Sequence, residues 1–184
     1  TKNTKKTNTT KVTKNTKKTN TTKVTKNTKT ILNSLKKYLE KSKNCQVTNK
    51  IIKLLSKKLG SSKTDLEKAK TIFNWVRDKI SYSKYRNTKK GALSTLLTRN
   101  GNCVDQAHLS VALYRSSGIP ARYVNGLNCK FNSGYTSGHV WAEVYVDGKW
   151  ISSDTTSSKN SLGSIKNWNT KSFTLAGKYS SINF

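Results

Sequence analysis

Residues 101–126, GNCVDQAHLSVALYRSSGIPARYVNG, decide how the chain is read. From Cys103 onward, Val104, Ala107, Val111 and Tyr114 recur on one helical face, and Gly118 with Pro120 ends the helix. Cys103 therefore stands at a helix N-terminus, where unpaired backbone N–H groups and the positive end of the helix dipole favour a thiolate. Beyond Pro120 the hydrophobic period drops from roughly 3.6 to about 2. RYVNGL at 122–127, HVWAEVYV at 139–146 and WISSD at 150–154 read as antiparallel strands, the last two joined by a DGK turn.

Strand alternation puts His139, Trp141 and Glu143 on one face and Val140, Ala142 and Val144 on the other. Asp154 ends the paired strand, so a two-stranded ladder predicts its carboxylate beside His139. Singly, a Cys that starts a helix, a His on a strand and an Asp after one are more often structural than reactive. Together, and in this order, they fit a thiol hydrolase: Cys103 as nucleophile, His139 as base and Asp154 as the group that orients the imidazole. The first N–H groups of the helix supply half of an oxyanion hole, and Tyr82 and Asn100 are the candidates for a second donor. Trp141, Tyr135 and Trp150 are candidates for a substrate groove, against the commoner reading of such aromatics as core. His108, one turn inside the helix, reads as a core residue rather than a second base. Asp105 reads as a first-turn carboxylate complementing the helix end.

Upstream, Ile31, Leu32, Leu35 and Leu39 fall at helical spacing, as do Ile51, Ile52, Leu54, Leu55 and Leu59 before Gly60. A third helix is signalled by Thr64 three residues before Glu67, a capping-box spacing, and by the stripe Leu66, Ala69, Ile72, Phe73, Val76 and Ile80. Ser81 to Gly91 reads as a polar connection to the RNGNC segment. Residues 1–12, TKNTKKTNTTKV, return letter for letter at 13–24, and a third copy begins at Thr25. With Val as the one apolar residue per copy, this stretch cannot offset its ordering entropy, and residues 1–30 are expected to be a disordered cationic linker. The folded domain is then 31–184, with a helical lead-in over 31–62 and a catalytic core over about 63–184.

The 184 residues carry 36 Lys+Arg against 8 Asp+Glu, a formal charge of +28, which draws the chain to an anionic surface whatever its fold. A hydrophobic fraction of 33% agrees with a chain that is not globular throughout. No apolar run approaches the length of a bilayer span. The chain begins at Thr1 inside a repeat, so any targeting segment lies outside what can be read. Cys45, Cys103 and Cys129 form neither a disulfide framework nor a CxxC metal pair. A Cys45–Cys129 bond would leave Cys103 free, but unpaired thiols are the preferred reading.

The stretch at 101–126 and GHVWAEVYVDGKWISSDTT at 138–156 resemble the transglutaminase-like superfamily, in which a Cys-led helix ends in G-I-P-A-R-Y-V and the His strand reads H-V-W-x-E-V. The resemblance implies an α+β, papain-like/transglutaminase-like core, with N-terminal helices and the nucleophile at a helix N-terminus packed on an antiparallel sheet. Within the superfamily, NCVDQ, the DTTSSKNSLG stretch and NWN at 167–169 look most like the pseudomurein endoisopeptidases of archaeal viruses and methanogens. That resemblance implies Cys103, His139 and Asp154 as the triad, and hydrolysis of an Ala-Lys isopeptide bond in an anionic archaeal wall polymer by a monomer acting at the wall. It also implies stimulation by a divalent cation such as calcium, although no ligand cluster is visible and the thiol chemistry itself needs no cofactor. The wall-binding repeats of that family are not evident. The alternatives are a transglutaminase, in which a lysine amine rather than water resolves the thioester, and a non-catalytic basic wall-adhesion module. A nucleic-acid binder is disfavoured, since the charge is spread along the chain without a recognition motif.

Overall fold

The computed structural model describes residues 29–61 and 63–184. The repeat expected to be a linker therefore lies, over residues 1–28, outside the described residues. A first unit ends at Lys36; the chain is α-helical over 29–35 and takes a 3-10 turn over Lys36–Tyr38, within the Ile31 to Leu39 stretch of helical spacing. The second unit, Lys37–Phe184, holds the sheet and the helices packed on it. Its elements are helices α1 (Lys50–Gly60) and α2 (Asp65–Lys79), strand β1 (Ser81–Tyr82), helix α3 (Gly91–Thr98), strand β2 (Asn100–Gly101) and helix α4 (Cys103–Ser116), followed by strands β3 (Ala121–Lys130), β4 (Thr136–Val146), β5 (Lys149–Ser153) and β6 (Thr174–Tyr179).

Local chemistry sets the boundaries. Asn49 caps α1 by accepting from the Ile51 and Ile52 N–H groups. Thr64 and Glu67 close the predicted capping box of α2, the Thr64 N–H donating to Glu67 Oε2 at 2.8 Å and the Glu67 N–H to Thr64 Oγ1 at 3.3 Å. Asp147 and Gly148 both take positive φ, 51° and 78°, as a two-residue hairpin turn between right-twisted strands requires.

Four antiparallel strands form one sheet in the order β5-β4-β3-β6, and a two-stranded parallel pair joins β1 to β2. Every residue of α4 from Val104 to Arg115 is buried, so this is a central helix rather than an amphipathic surface one. Against it lies one sheet face, Val140, Ala142, Val144 and Val146 from β4 with Ala121 and Tyr123 from β3. Each such buried valine contributes roughly 2 kcal/mol. The opposite face carries a second cluster, Val124, Cys129, Trp141 and Trp168, with Phe131, Ile165 and Phe173 packed on it.

Four elements were not legible in the sequence: the short strands β1 and β2, helix α3 and strand β6. Helix α3 occupies residues that, apart from Gly91, the sequence pattern leaves unassigned; it starts at Gly91 with φ +67°, where a Cβ would lie 3.1 Å from the Asn44 carbonyl oxygen. Strand β6 is exposed over most of its length and lacks the alternation of a half-buried strand.

Candidate active site

The nucleophile's position is set by the loop in front of α4. Asn102 is the N-cap: its Oδ1 accepts from the Asp105 N–H at 2.9 Å, while its Nδ2 donates to the Tyr85 and Asn87 carbonyls at 3.1 and 2.8 Å. Gln106 N–H donates to the Asn102 carbonyl, which leaves the Cys103 and Val104 N–H groups as the orphan donors of the first turn. Strand β2 pairs with β1, and the Ser83 N–H donates to Gly101 O at 3.0 Å, fixing residues 81–83 two positions from Cys103. Asp105 does more than complement the helix end. Buried, it accepts from Tyr85 Oη at 2.5 Å and from the N–H groups of Lys89, Lys90 and Gly91, tying the 85–91 loop to the nucleophile helix.

His139 and Asp154 meet as the strand register requires. Ala142 pairs with Ser153, so the next position on β5's path, Asp154, falls on the face of Trp141 and His139. His139 Nε2 donates to Asp154 Oδ2 at 2.9 Å, with both side chains buried. The Cys103 thiol lies near enough to the same ring to act on its pKa, and Nδ1 is the ring nitrogen that Asp154 does not engage. Burial alone would lower the His139 pKa. The Asp154 charge and hydrogen bond, with the nearby Cys103, outweigh it and raise the pKa to about 10. For Asp154 burial pushes upward, and the His139 charge with bonds from His139, Thr156 and Trp168 holds the carboxyl at about 2. The Thr156 N–H and Oγ1 donate to Asp154 Oδ1 at 3.1 and 2.6 Å, and Trp168 Nε1 donates to Oδ2 at 2.9 Å. Asn160 Nδ2 holds the Asp154 carbonyl at 3.0 Å. Phe131, Trp141 and Trp168 wall the imidazole with ring centroids 5.3, 5.8 and 5.8 Å away. Gly126, opposite His139 in the ladder, has no room for a Cβ, which would lie 2.8 Å from Phe173 and 3.1 Å from Trp141.

A helix-start thiol thus stands near an imidazole that is hydrogen-bonded to a buried carboxylate. The profile of the transglutaminase-like superfamily covers residues 52–155, more than half of the chain and all three of these residues. The chain belongs to the transglutaminase-like superfamily. Among relatives, the human (Homo sapiens) Kyphoscoliosis peptidase is 30% identical over 126 residues, 60% of this chain and 19% of that protein. The uncharacterized protein ML0607 of Mycobacterium leprae is 35% identical over 83 residues, 41% of this chain and 30% of its own length. The chain thus spans less than a third of either relative. A candidate cysteine protease from Cytophaga hutchinsonii superposes with a TM-score of 0.62 at 28% identity, covering 78% of this chain and 46% of that one. The periplasmic domain of TgpA from Pseudomonas aeruginosa, at 22% identity and a TM-score of 0.50 over 65% of this chain and 45% of that one, shares the fold. Superfamily and neighbours support a cysteine-protease-type or acyl-transfer enzyme.

Beside His139 lies a cleft of about 390 Å³. Tyr82 and Tyr135, both about half exposed, line it. Burial, then the nearby Cys103 and Asp154 charges, raise the Tyr82 pKa to about 12, so its hydroxyl stays a donor at neutral pH. Asn100 is placed otherwise: its Nδ2 donates to the Thr98 carbonyl, its Oδ1 accepts from Lys90, and it is not part of the cleft wall. Trp141 does not line this cleft. It is 5% exposed and packs beneath His139 in the second cluster, because its face of β4 is covered by Trp168 and Phe173. Trp150 packs on Tyr145 and carries the Arg122 guanidinium 4.0 Å above its ring.

His108 is fully buried between Tyr123 Oη at 2.9 Å and Thr88 Oγ1 at 3.0 Å, and burial lowers its pKa to about 4, as befits a structural histidine. Cys45 and Cys129 are buried free thiols whose pKa values burial raises, that of Cys129 to about 11. Among the described residues no group of three His, Cys, Asp or Glu side chains is placed to hold a metal ion. Thr156, Asn160 and Trp168 were missed as individual positions, although each lies in a stretch that carried the resemblance. Asn102 was missed too, despite being an N-cap residue type directly before the helix.

Proposed function

We propose that the chain is a cysteine endoisopeptidase that cleaves an Ala-Lys crosslink of pseudomurein through a thioester on Cys103, with His139 and Asp154 completing the triad. The observation that supports the chemistry is the buried His139–Asp154 hydrogen bond, with the helix-start Cys103 thiol near enough to act on the His139 pKa. In the attack the thiolate forms a C–S bond to the acyl carbon, and the oxyanion takes the Cys103 N–H and the Tyr82 hydroxyl as donors. The imidazolium then protonates the lysine amine as the C–N bond breaks. Water, losing a proton to His139, adds to the thioester, the C–S bond breaks, and a carboxylic acid leaves with the thiol restored. Asp154 keeps Nε2 protonated, Nδ1 turned to sulfur, and the imidazolium neutralised.

The pseudomurein assignment rests on the resemblance, and the function of the resembling residues supports it. Thr156, Asn160 and Trp168, from the stretches that set the chain apart within the superfamily, all bond Asp154. The charge of +28 suits an anionic polymer. The test is a soluble isopeptide, an acylated alanine on the side-chain amine of lysine, followed by mass spectrometry with and without an added primary amine. Release of free acid and lysine, with little amide product when amine is present, is the expected result. Predominant transfer to the amine would make the enzyme a transglutaminase instead.

A further inference from the structure

The cleft beside His139 is chemically one-sided. Its walls carry the aromatic rings of Tyr82, Phe131 and Tyr135, hydroxyl groups, an amide, the His139 imidazole and one lysine side chain, Lys84, with no Asp or Glu among the lining residues. Lys84 Nζ sits 5.2 Å from the centroid of the Tyr135 ring, across the cleft from the segment that bears it. Its backbone is held in register with the nucleophile, since the preceding Ser83 N–H donates to Gly101 O. The facing wall is a closed turn, with the Phe131 N–H donating to the Tyr135 carbonyl at 2.8 Å and the Gly134 N–H to the Phe131 carbonyl at 2.9 Å. Among the described residues no carboxylate pairs with Lys84, whereas Lys68, Arg77, Arg122 and Lys178 each have one. The same cleft holds Asn167, whose Oδ1 is buried without a hydrogen-bond partner; on rotation of its amide, a peptide N–H entering the cleft would satisfy it.

A lone exposed lysine holds anions weakly, but a cation on the wall of a cleft, next to apolar ring faces and with no carboxylate among the lining residues, attracts an anion more strongly. We propose that Lys84 is a specificity residue, and that the cleft selects a peptide segment with a free carboxylate close to the scissile amide. This rests on the isopeptidase reading of the site and adds to it a preference that overall charge cannot give, because a charge spread over the chain does not distinguish one position in a substrate from another.

The probes are four peptides: acetyl-glutamyl-alanine or acetyl-glutaminyl-alanine joined to the side-chain amine of lysine, each with the lysine carboxylate free or amidated. Turnover is measured with the full chain and with Lys84→Ala and Lys84→Glu, and binding by calorimetry on the same proteins carrying Cys103→Ala. The unsubstituted protein is expected to favour the carboxylate on one side of the scissile bond by about tenfold in kcat/KM and in Kd, the lower end for a hydrogen bond to a charged group. The acid–amide difference should vanish in Lys84→Ala and invert in Lys84→Glu, and the arm that shows it tells whether the carboxylate lies on the acyl or the leaving side. Cleavage of all four peptides at equal efficiency, or a preference that survives Lys84→Ala, overturns the inference and leaves the isopeptidase reading standing. Failure of all four either to bind or to be cleaved overturns both.

Discussion

Replacing Asp154 by Asn keeps the side chain's size and removes its charge, and the hydrogen bonds around the carboxylate determine the outcome. There are four: Oδ2 accepts from His139 and Trp168, Oδ1 from the Thr156 N–H and hydroxyl. An asparagine that turns its oxygen to His139 and Trp168 presents its NH2 to Thr156, whose hydroxyl can rotate to accept but whose N–H is left unpaired. That costs about 1–3 kcal/mol of stability, which a folded domain of this size tolerates. The opposite rotamer leaves the Trp168 N–H unpaired and drives His139 to the tautomer with its proton facing sulfur. In either case the imidazolium loses its counter-charge, and kcat should fall by roughly two to four powers of ten, about 3–5 kcal/mol. Asp147 in the hairpin turn is the control, because Asn tolerates its positive φ of 51° and its change should cost little. Steady-state kinetics on the soluble isopeptide and thermal melts decide the matter. An inactive Asp147→Asn beside an active Asp154→Asn would refute the triad assignment. The melts also carry a pH signature. Asp154 has a lowered folded-state pKa, so its stabilisation is present above its unfolded value of about 4 and is lost as pH falls toward about 2. His139 has a raised pKa, so its share is full below about 6.5 and is lost as pH rises toward about 10. The stability gap between the parent and Asp154→Asn should therefore be widest between about pH 4 and 6.5.

Cys103→Ala should abolish turnover, while Cys45→Ala and Cys129→Ala, both deep in the core with raised pKa values, keep most of it; comparable lysis of wall by Cys103→Ala would end the thiol mechanism. Tyr82→Phe should lower kcat by about 10²–10³ with little change in KM, as expected for an oxyanion donor, and unchanged kcat would remove Tyr82 from that role. Deleting residues 1–28 should leave melting temperature and soluble turnover intact and weaken retention on whole wall, most visibly at low salt; a lower melting temperature would contradict the linker reading.

The parts of the site that could be read from the sequence were those written in a local period. Cys103 announced itself through the apolar face behind it, and His139 and Asp154 through strand alternation and a two-residue turn, whose geometry fixes register. What escaped depends on contacts between distant segments. Trp168 reaches Asp154 from an irregular stretch with no period, and Lys84 becomes distinctive only when the Phe131–Tyr135 turn closes over it. Trp141 was misplaced for the converse reason: alternation showed that it shares a face with His139 but not that Trp168 and Phe173 would cover that face. Helix α3 was hidden by its own start, a glycine in a left-handed conformation after a polar loop whose fixed point is the buried Asp105.

Nucleophile and substrate are tested together by digesting purified pseudomurein and, in parallel, bacterial murein with the full chain, then labelling the new amino groups and identifying them after acid hydrolysis. Labelled lysine side chains and new alanine carboxyl termini are expected in pseudomurein alone, and neither is expected with Cys103→Ala. Equal release from murein, or release from pseudomurein that persists in Cys103→Ala, would contradict a thiol isopeptidase specific for that wall.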